Sequence, residues 1–404
     1  MLSRRLVLVM AAVIVAAGPA HAQISDGVVK IGIMNDQSGT YADLAGPGSV
    51  VAARMAVEDF GAANKGLKVE IVVADHQNKP DVGSSIARQW FDADKVDVIV
   101  DVPTSSVVLA VNQIAREKNK ALIVSTGATS DLTGPACSPN AIHWTYDTWS
   151  LANGTGSAIV KTGGDTWFFL TADYKFGHDL ERDTEAVVVK NGGKVVGKVR
   201  HPFPSADFSS FLLQAQASKA KIIGLANAGA DTTNAIKQGA EFGIVKGGQQ
   251  FAGLLVFLTD VHALGLEKAQ GLLLTESFYW DLNDQTRAFS QRFAKLHKGA
   301  MPTMAQAGVY SAVLHYLKAV EAMKSDADGA KVVAKMKELP TDDPVFGKGR
   351  VRPDGRKIHP VYLFEVKKPS ESKGPWDYYK VRATTPAEQA FRPMDQGNCP
   401  LVKK

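Results

Sequence analysis

The chain has 404 residues, 45% of them hydrophobic and 22% charged, with a formal net charge of +5 at pH 7. That composition can bury large cores and divides by size into about two domains, which excludes a disordered or fibrous protein. Basic residues are scattered and no aromatic-basic cluster occurs, so a nucleic-acid partner is not expected.

The chain opens with Met1-Leu2-Ser3-Arg4-Arg5, an apolar run from Leu6 to Ala17, and Gly18-Pro19-Ala20-His21-Ala22. A basic start, an apolar run too short to span a bilayer and an A-x-A site predict a cleavable export signal over residues 1–22. No Cys follows the run to carry a lipid, and no later stretch reaches spanning length. Without Arg4 and Arg5 the balance becomes 44 basic against 41 acidic residues.

Past the signal, short aliphatic runs alternate with segments of helical period, the pattern of βα units and parallel sheets. Strands are predicted at 28–34, 68–74, 96–100 and 121–125, with helices at 48–63, 81–93 and 106–118 between them. A second series follows Tyr146, with strands at 166–171, 194–199, 221–226 and 250–257 and helices at 149–162, 177–191, 208–218 and 232–242. The fold class is therefore α/β, with two doubly wound Rossmann-like lobes. Helical segments at 284–298, 304–323 and 330–339 come after the second sheet, followed by strand-like pieces at 361–366 and 378–381. The expected division is an N-terminal lobe of residues 27–143 plus 279–345 and a C-terminal lobe of 144–278 plus 346–404. Several crossings between them would form a hinge.

Two cysteines, Cys137 and Cys399, lie in Pro-containing loops. In an oxidising compartment such a pair suggests one disulfide tying the tail to the body, with two free thiols as the alternative. Their spacing does not suit a metal site.

In open α/β sheets, ligands bind beyond the carboxyl ends of strands, beside helix N-termini. Two adjacent strand ends here carry hydroxyls and free amides: Thr104-Ser105-Ser106 after Pro103, and Thr126-Gly127-Ala128-Thr129-Ser130 after Ser125. Such ends suit a small anion, and they equally suit plain helix capping. Aromatic residues cluster at other strand ends: Tyr41, Tyr174, Phe176, Phe257 and the run Phe278-Tyr279-Trp280. Together they can wall an apolar ligand, although each alone reads as core filler. No GxGxxG, GxSxG, Walker lysine loop or HExxH occurs, and the SxxK at Ser370–Lys373 sits in a Lys/Pro-rich tail. No catalytic residue, metal site or cofactor is expected. His76, just past a strand, reads as structural or solvated.

The order Lys30-Ile31-Gly32, Ser38-Gly39, Ala53-Arg54-Met55-Ala56-Val57, Val69–Asp75, PTSS, Ser125-Thr126-Gly127-Ala128-Thr129 and Tyr174-Lys175-Phe176-Gly177 resembles the Leu/Ile/Val-binding protein family. These are type I periplasmic solute-binding proteins of ABC importers, and the likeness covers nearly all of the exported chain. It implies a monomer in the periplasm that closes two lobes over a small ligand and delivers it to inner-membrane permease subunits. It further implies ligand contacts at Thr104 or Ser105, at Gly127, Ala128 and Thr129, at Tyr41, and at Tyr174, Phe176 and Asn227 on the second lobe.

One departure bears on the ligand. Family members that bind amino acids hold the ammonium with an acidic residue whose position here falls at Leu254 or Leu255. Burying an ammonium without that partner costs on the order of 2–5 kcal/mol. Asp231 and Asp260 are the nearby acids, and each is expected as a helix N-cap. The sequence therefore favours a carboxylate with an aromatic or apolar body, similar to the ligands of aromatic-acid-binding members. A branched-chain amino acid, a small amide or a sensory receptor role are the alternatives, and a secreted enzyme lacks its constellation.

Overall fold

The structure, a computed structural model, describes residues 24–402; residues 1–22, read as an export signal, lie outside the described residues. Five parallel strands build the first lobe: β1 (Val29–Asn35), β2 (Val69–Asp75), β3 (Val98–Asp101), β4 (Ala121–Val124) and β5 (Ala141–His143), in the order β2-β1-β3-β4-β5. Val98, Ile99 and Val100 are wholly buried, as an unbroken aliphatic run must be when helices cover both faces of a sheet. Each such side chain contributes roughly 1.5–3 kcal/mol of burial. The second lobe has β6 (Thr166–Ala172), β7 (Lys194–His201), β8 (Ile222–Ala226) and β9 (Gln250–Gly253), parallel in the order β7-β6-β8-β9.

Both sheets reverse their winding at corresponding places, between β1 and β3 and between β6 and β8. The crevice at such a switch point is where open α/β sheets bind ligands. Strand β9 stops four residues short of the expected run, which frees residues 254–257 to turn away from the sheet.

The chain crosses between lobes repeatedly. It passes to the second lobe beyond β5, through Tyr146 and Asp147, and returns after β10 (Leu273–Glu276), where Ser277 Oγ donates to Thr145 O at 3.3 Å. Helix 304–323 then packs on helix 46–60 of the first lobe. Its start is fixed by a reciprocal cap in which Thr303 and Gln306 bond each other's main-chain amides, and Thr303 Oγ1 also donates to Leu44 O at 2.7 Å. An antiparallel ribbon follows, β11 (Thr341–Asp343), β12 (Gly347–Val351) and β13 (Lys357–Ile358). Arg356, wholly buried, donates through Nη1 to Tyr146 O at 3.2 Å and so ties this ribbon to the first crossing.

Of residues 346–404, only the middle lies with the second lobe: β14 (Val361–Val366) pairs with β10 on one side and with β15 (Tyr379–Thr385) on the other, and Phe364, Val366 and Tyr379 share a core with Leu170 and Leu225. Residues 347–358 and the tail beyond Ala387 pack on the first lobe. Arg392 Nη2 donates to Ser130 O at 2.7 Å, and Cys137 and Cys399 form a disulfide with a Cα–Cα distance of 5.7 Å. Among the described residues no helix is long and apolar enough to cross a membrane.

The disulfide closes a loop of 262 residues. Replacing Cys137 and Cys399 with Ser lowers the unfolding free energy by about 2–5 kcal/mol, read as a shifted midpoint in urea titrations; a reducing agent shifts the wild type alike and leaves the double variant unchanged.

Candidate functional site

The carboxyl ends of the two sheets face one another across a narrow cleft. Each stretch of lining follows a strand: Tyr41 and Leu44 after β1, Pro103 after β3, Thr126 and Ala128 after β4, Tyr146 after β5, Tyr174 and Phe176 after β6, Ala228 after β8, Leu255 and Phe257 after β9. Five of these eleven side chains are aromatic and none carries a formal charge at neutral pH.

The carbonyls of the loop after β4 are all taken within the protein. Thr126 O accepts from Tyr146 Oη at 2.5 Å, Gly127 O is bonded by His143 Nε2 at 2.7 Å, and Ala128 O accepts from Thr148 N at 2.8 Å. Burial keeps His143 neutral, well below the usual imidazole range, so the ring serves here with its proton on Nε2. In a planar trans peptide the N–H points opposite to the C=O. The amides of Gly127, Ala128 and Thr129 therefore face away from these three partners, and among the described residues no acceptor takes them. Gly127 is required because a Cβ there would lie 2.5 Å from Val102 O and 2.3 Å from Val108 Cγ2, so closely does this loop approach the start of helix 105–117.

That helix supplies the neighbouring end. Thr104 is its N-cap, yet its side chain makes no capping bond; Thr104 Oγ1 donates to Asn78 Oδ1 instead. Ser105 Oγ is buried without a partner. The turn into the helix is strained, with φ of 90° at Asp101 and 55° at Val102, a conformation that side chains, and β-branched ones above all, adopt at a cost. Asp101 is wholly buried, which pushes its carboxyl up despite bonds from Thr126, Asn35 and Ser125. It thereby occupies the Ser125 and Thr126 hydroxyls, and the loop is left to act through its main chain.

Thr129 is doubly engaged: its Oγ1 accepts from Asp131 N at 3.3 Å, capping a short turn, and donates to Asp179 Oδ2 on the second lobe at 2.6 Å. Around it Lys175 meets Asp131 at 2.5 Å and Asp179 at 2.7 Å, and Ser130 Oγ donates to Asp183 at 2.8 Å. Opposite, Tyr41 Oη and Tyr174 Oη share a hydrogen bond across the cleft.

Of the residues expected from sequence, Tyr41, Ala128, Tyr174 and Phe176 line the cleft with side chains, whereas Thr104, Ser105, Gly127 and Thr129 are not among its lining residues, although their neighbours Pro103, Thr126 and Ala128 are. Asn227 does not line it; its Nδ2 bonds His201 Nε2 at 3.1 Å and its Oδ1 accepts from Thr232 at 2.6 Å. Phe257 lines the cleft, whereas Phe278 packs edge-on against Phe289 and Phe346, and Tyr279 against Phe364. Leu255, at an expected ammonium-partner position, presents an apolar wall. Asp231 and Asp260 are not the N-caps anticipated: those are Gly229 and Phe257, with each acid inside the first turn. Asp260 accepts from Phe257 N at 2.9 Å and Asp231 from Ser205 N at 3.1 Å. His76 is structural: buried, lowered by burial to about 4, its Nδ1 accepting from Asn78 N. Sequence reasoning missed Tyr146, His143, Phe203 and Leu44, which reach the site only through the crossings and loop folding. Among the described residues no group of three or more His, Cys, Asp or Glu side chains suits a metal.

Residues 28–375 match a family described as "Periplasmic binding protein". The chain belongs to this periplasmic binding protein family. A periplasmic binding protein of Burkholderia mallei is 53% identical with a TM-score of 0.91, over 94% of this chain and 100% of that one. A "branched chain amino acid ABC transporter periplasmic ligand-binding protein" of Burkholderia xenovorans LB400 is 42% identical with a TM-score of 0.81, over 92% and 99%. "Leu/Ile/Val-binding protein homolog 6" of Brucella melitensis is 26% identical over 87% of this chain and 90% of its own length. A solute-binding protein of R. palustris in complex with benzoate, 22% identical with a TM-score of 0.80 over 89% and 97%, shares the fold. Like these periplasmic binding proteins, the chain is a solute-binding protein and not an enzyme.

Burial raises Asp231 and Asp260 to about 7 each. The folded state then holds protons that the unfolded chain releases near pH 4, so their contribution is full below about pH 4 and is lost as pH climbs toward 7. Denaturant titrations from pH 4.5 to 7.5 give a falling stability attributable to these groups, and Asp231→Asn, which keeps an acceptor for Ser205 N, flattens the slope; an unchanged slope contradicts the assignment.

Proposed function

We propose that this protein captures a small monocarboxylate with an aromatic or apolar body in the periplasm, closes its two lobes on it and delivers it to the permease of an ABC importer. The observation that carries this reading is the set of three carbonyls, of Thr126, Gly127 and Ala128, each bonded within the protein, while among the described residues the amides of Gly127, Ala128 and Thr129 have no acceptor. With the start of helix 105–117 and the unpartnered Ser105 hydroxyl beside them, they form a cradle for a carboxylate that needs no cationic side chain. The aromatic rings of Tyr41, Tyr146, Tyr174, Phe176 and Phe257 receive the body.

Binding is a population shift. A ligand touching the Ser105 and Ala128 ends on one lobe and Tyr174 and Phe176 on the other favours the closed form by its differential affinity for it. No bond of the ligand is made or broken. A branched-chain amino acid is the second reading, favoured by the names of the Burkholderia xenovorans and Brucella relatives. Against it stands Leu255 where an ammonium partner is needed.

A thermal-shift panel of benzoate, aliphatic 2-oxo acids, leucine and valine separates the two. Benzoate-like or aliphatic acids raise the midpoint and the amino acids do not; the reverse pattern overturns the carboxylate reading. Ser105→Ala lowers acid affinity by about tenfold, one hydrogen bond to a charged group, with ligand-free stability unchanged because that hydroxyl has no partner in the protein. Isothermal titration reads both proteins.

A further inference from the structure

The cleft has an outer layer that belongs to neither hydroxyl loop. Phe203 follows β7 on the second lobe and does not line the cleft; it is half-buried and lies against the far side of the two tyrosines that do. Its ring stacks on Tyr174 at 4.4 Å between centroids with an interplanar angle of 23°, and on Tyr41 of the first lobe at 5.3 Å and 27°. The phenols beneath it are joined by their hydrogen bond across the cleft. Three rings from three strand ends thus form one stack spanning both lobes.

The loop that carries Phe203 is anchored below. Its flanks are held by His201 Nδ1 on Pro202 O at 2.8 Å, by Ser205 N on Asp231, and by Gln238 Nε2 on Ala206 O at 2.8 Å. Asn227 bonds the other nitrogen of His201, which gives that residue a positioning role behind the loop. The first lobe meets this region at Gly229, where φ is +59° and a Cβ would stand 2.4 Å from Thr40 O. Only a glycine lets Thr40 and Tyr41 come close enough for the stack to form.

We propose that Phe203 is the gate residue of the cleft: by stacking on Tyr41 and Tyr174 from outside it favours the closed arrangement and sets how long a ligand stays. This rests on the reading of the cleft as the ligand site. Because Phe203 makes no contact with the cavity, its removal acts on departure and hardly on recognition. Stopped-flow binding of benzoate by Phe203→Ala gives a dissociation rate constant at least about tenfold above wild type, with the association rate constant within about threefold. Phe203→Tyr, which keeps the ring, restores the wild-type value. Equal losses in both rate constants, no change in dissociation, or a Phe203→Tyr variant as fast as Phe203→Ala overturns the gate.

Hydroxyl-radical footprinting of ligand-free protein supplies a readout independent of the ligand. In Phe203→Ala, Tyr41 and Tyr174 are modified several-fold faster while the core residue Tyr316 keeps its wild-type protection; unchanged Tyr41 and Tyr174, or a matching rise at Tyr316, overturns the proposal. If no acid binds the wild type, the carboxylate reading fails and the footprint alone decides the gate. If acids bind and the footprint is unchanged, the gate fails and the carboxylate reading stands.

Discussion

The site depends on the direction in which three peptide groups point. An amide and a carbonyl in one planar unit oppose each other, so whatever grips the carbonyl aims the amide. In the loop after β4 the grips are Tyr146, His143 and the start of the helix at Thr148, all on the segment that leads from β5 into the second lobe. The strand ends and the first lobe crossing are therefore one construction. Arg356, buried and bonded to Tyr146 O, ties that segment to a ribbon that arrives some two hundred residues later in the chain. The tail beyond it reaches the same loop again through Arg392 on Ser130 O and through the disulfide at Cys137.

Facing this loop, the second lobe supplies the other side of the cleft. Its contacts with the first lobe are of two kinds. On one flank hydroxyls and charges meet: Thr129 with Asp179, Lys175 with Asp131, Ser130 with Asp183. The Lys175–Asp131 pair is partly exposed, and an ion pair of that sort is worth about 0–1 kcal/mol, whereas the Thr129–Asp179 bond is buried. On the other flank aromatic rings stack, with Phe203 outermost.

Electrostatics within the cleft follow the same economy. Its lining carries no formal charge, and the nearby acids Asp101, Asp231, Asp260 and Glu276 are all pushed up by burial. A carboxyl pushed up in this way ionises less readily, so it repels a carboxylate and attracts an ammonium less than a freely ionised one would. On the carboxylate reading proposed above, charge complementarity comes from main-chain dipoles, which cannot be neutralised by a proton and need not be desolvated as an arginine would.

The two lobes were legible in the sequence because aliphatic runs alternating with helical segments have only one packing solution, helices on both faces of a parallel sheet. Most elements lie within a few residues of their predicted places, and the PTSS and GAT ends, Tyr41, Tyr174 and Phe176 were all marked by their position after strands. Short elements escaped: β5 with three residues and β11 to β13 have too little periodicity to show. The expectations for Asp231 and Asp260 missed because an acid in the first turn looks the same in sequence whether it precedes the helix or lies inside it. The sequence by itself determined which strand ends could meet a ligand, since local pattern fixes strands and their turns. Tertiary structure alone decided which groups hold the loop carbonyls, that Asn227 bonds His201 and does not line the cleft, and that Phe203 stacks on Tyr41 and Tyr174. Those facts depend on contacts between residues far apart in the chain, which no local pattern encodes.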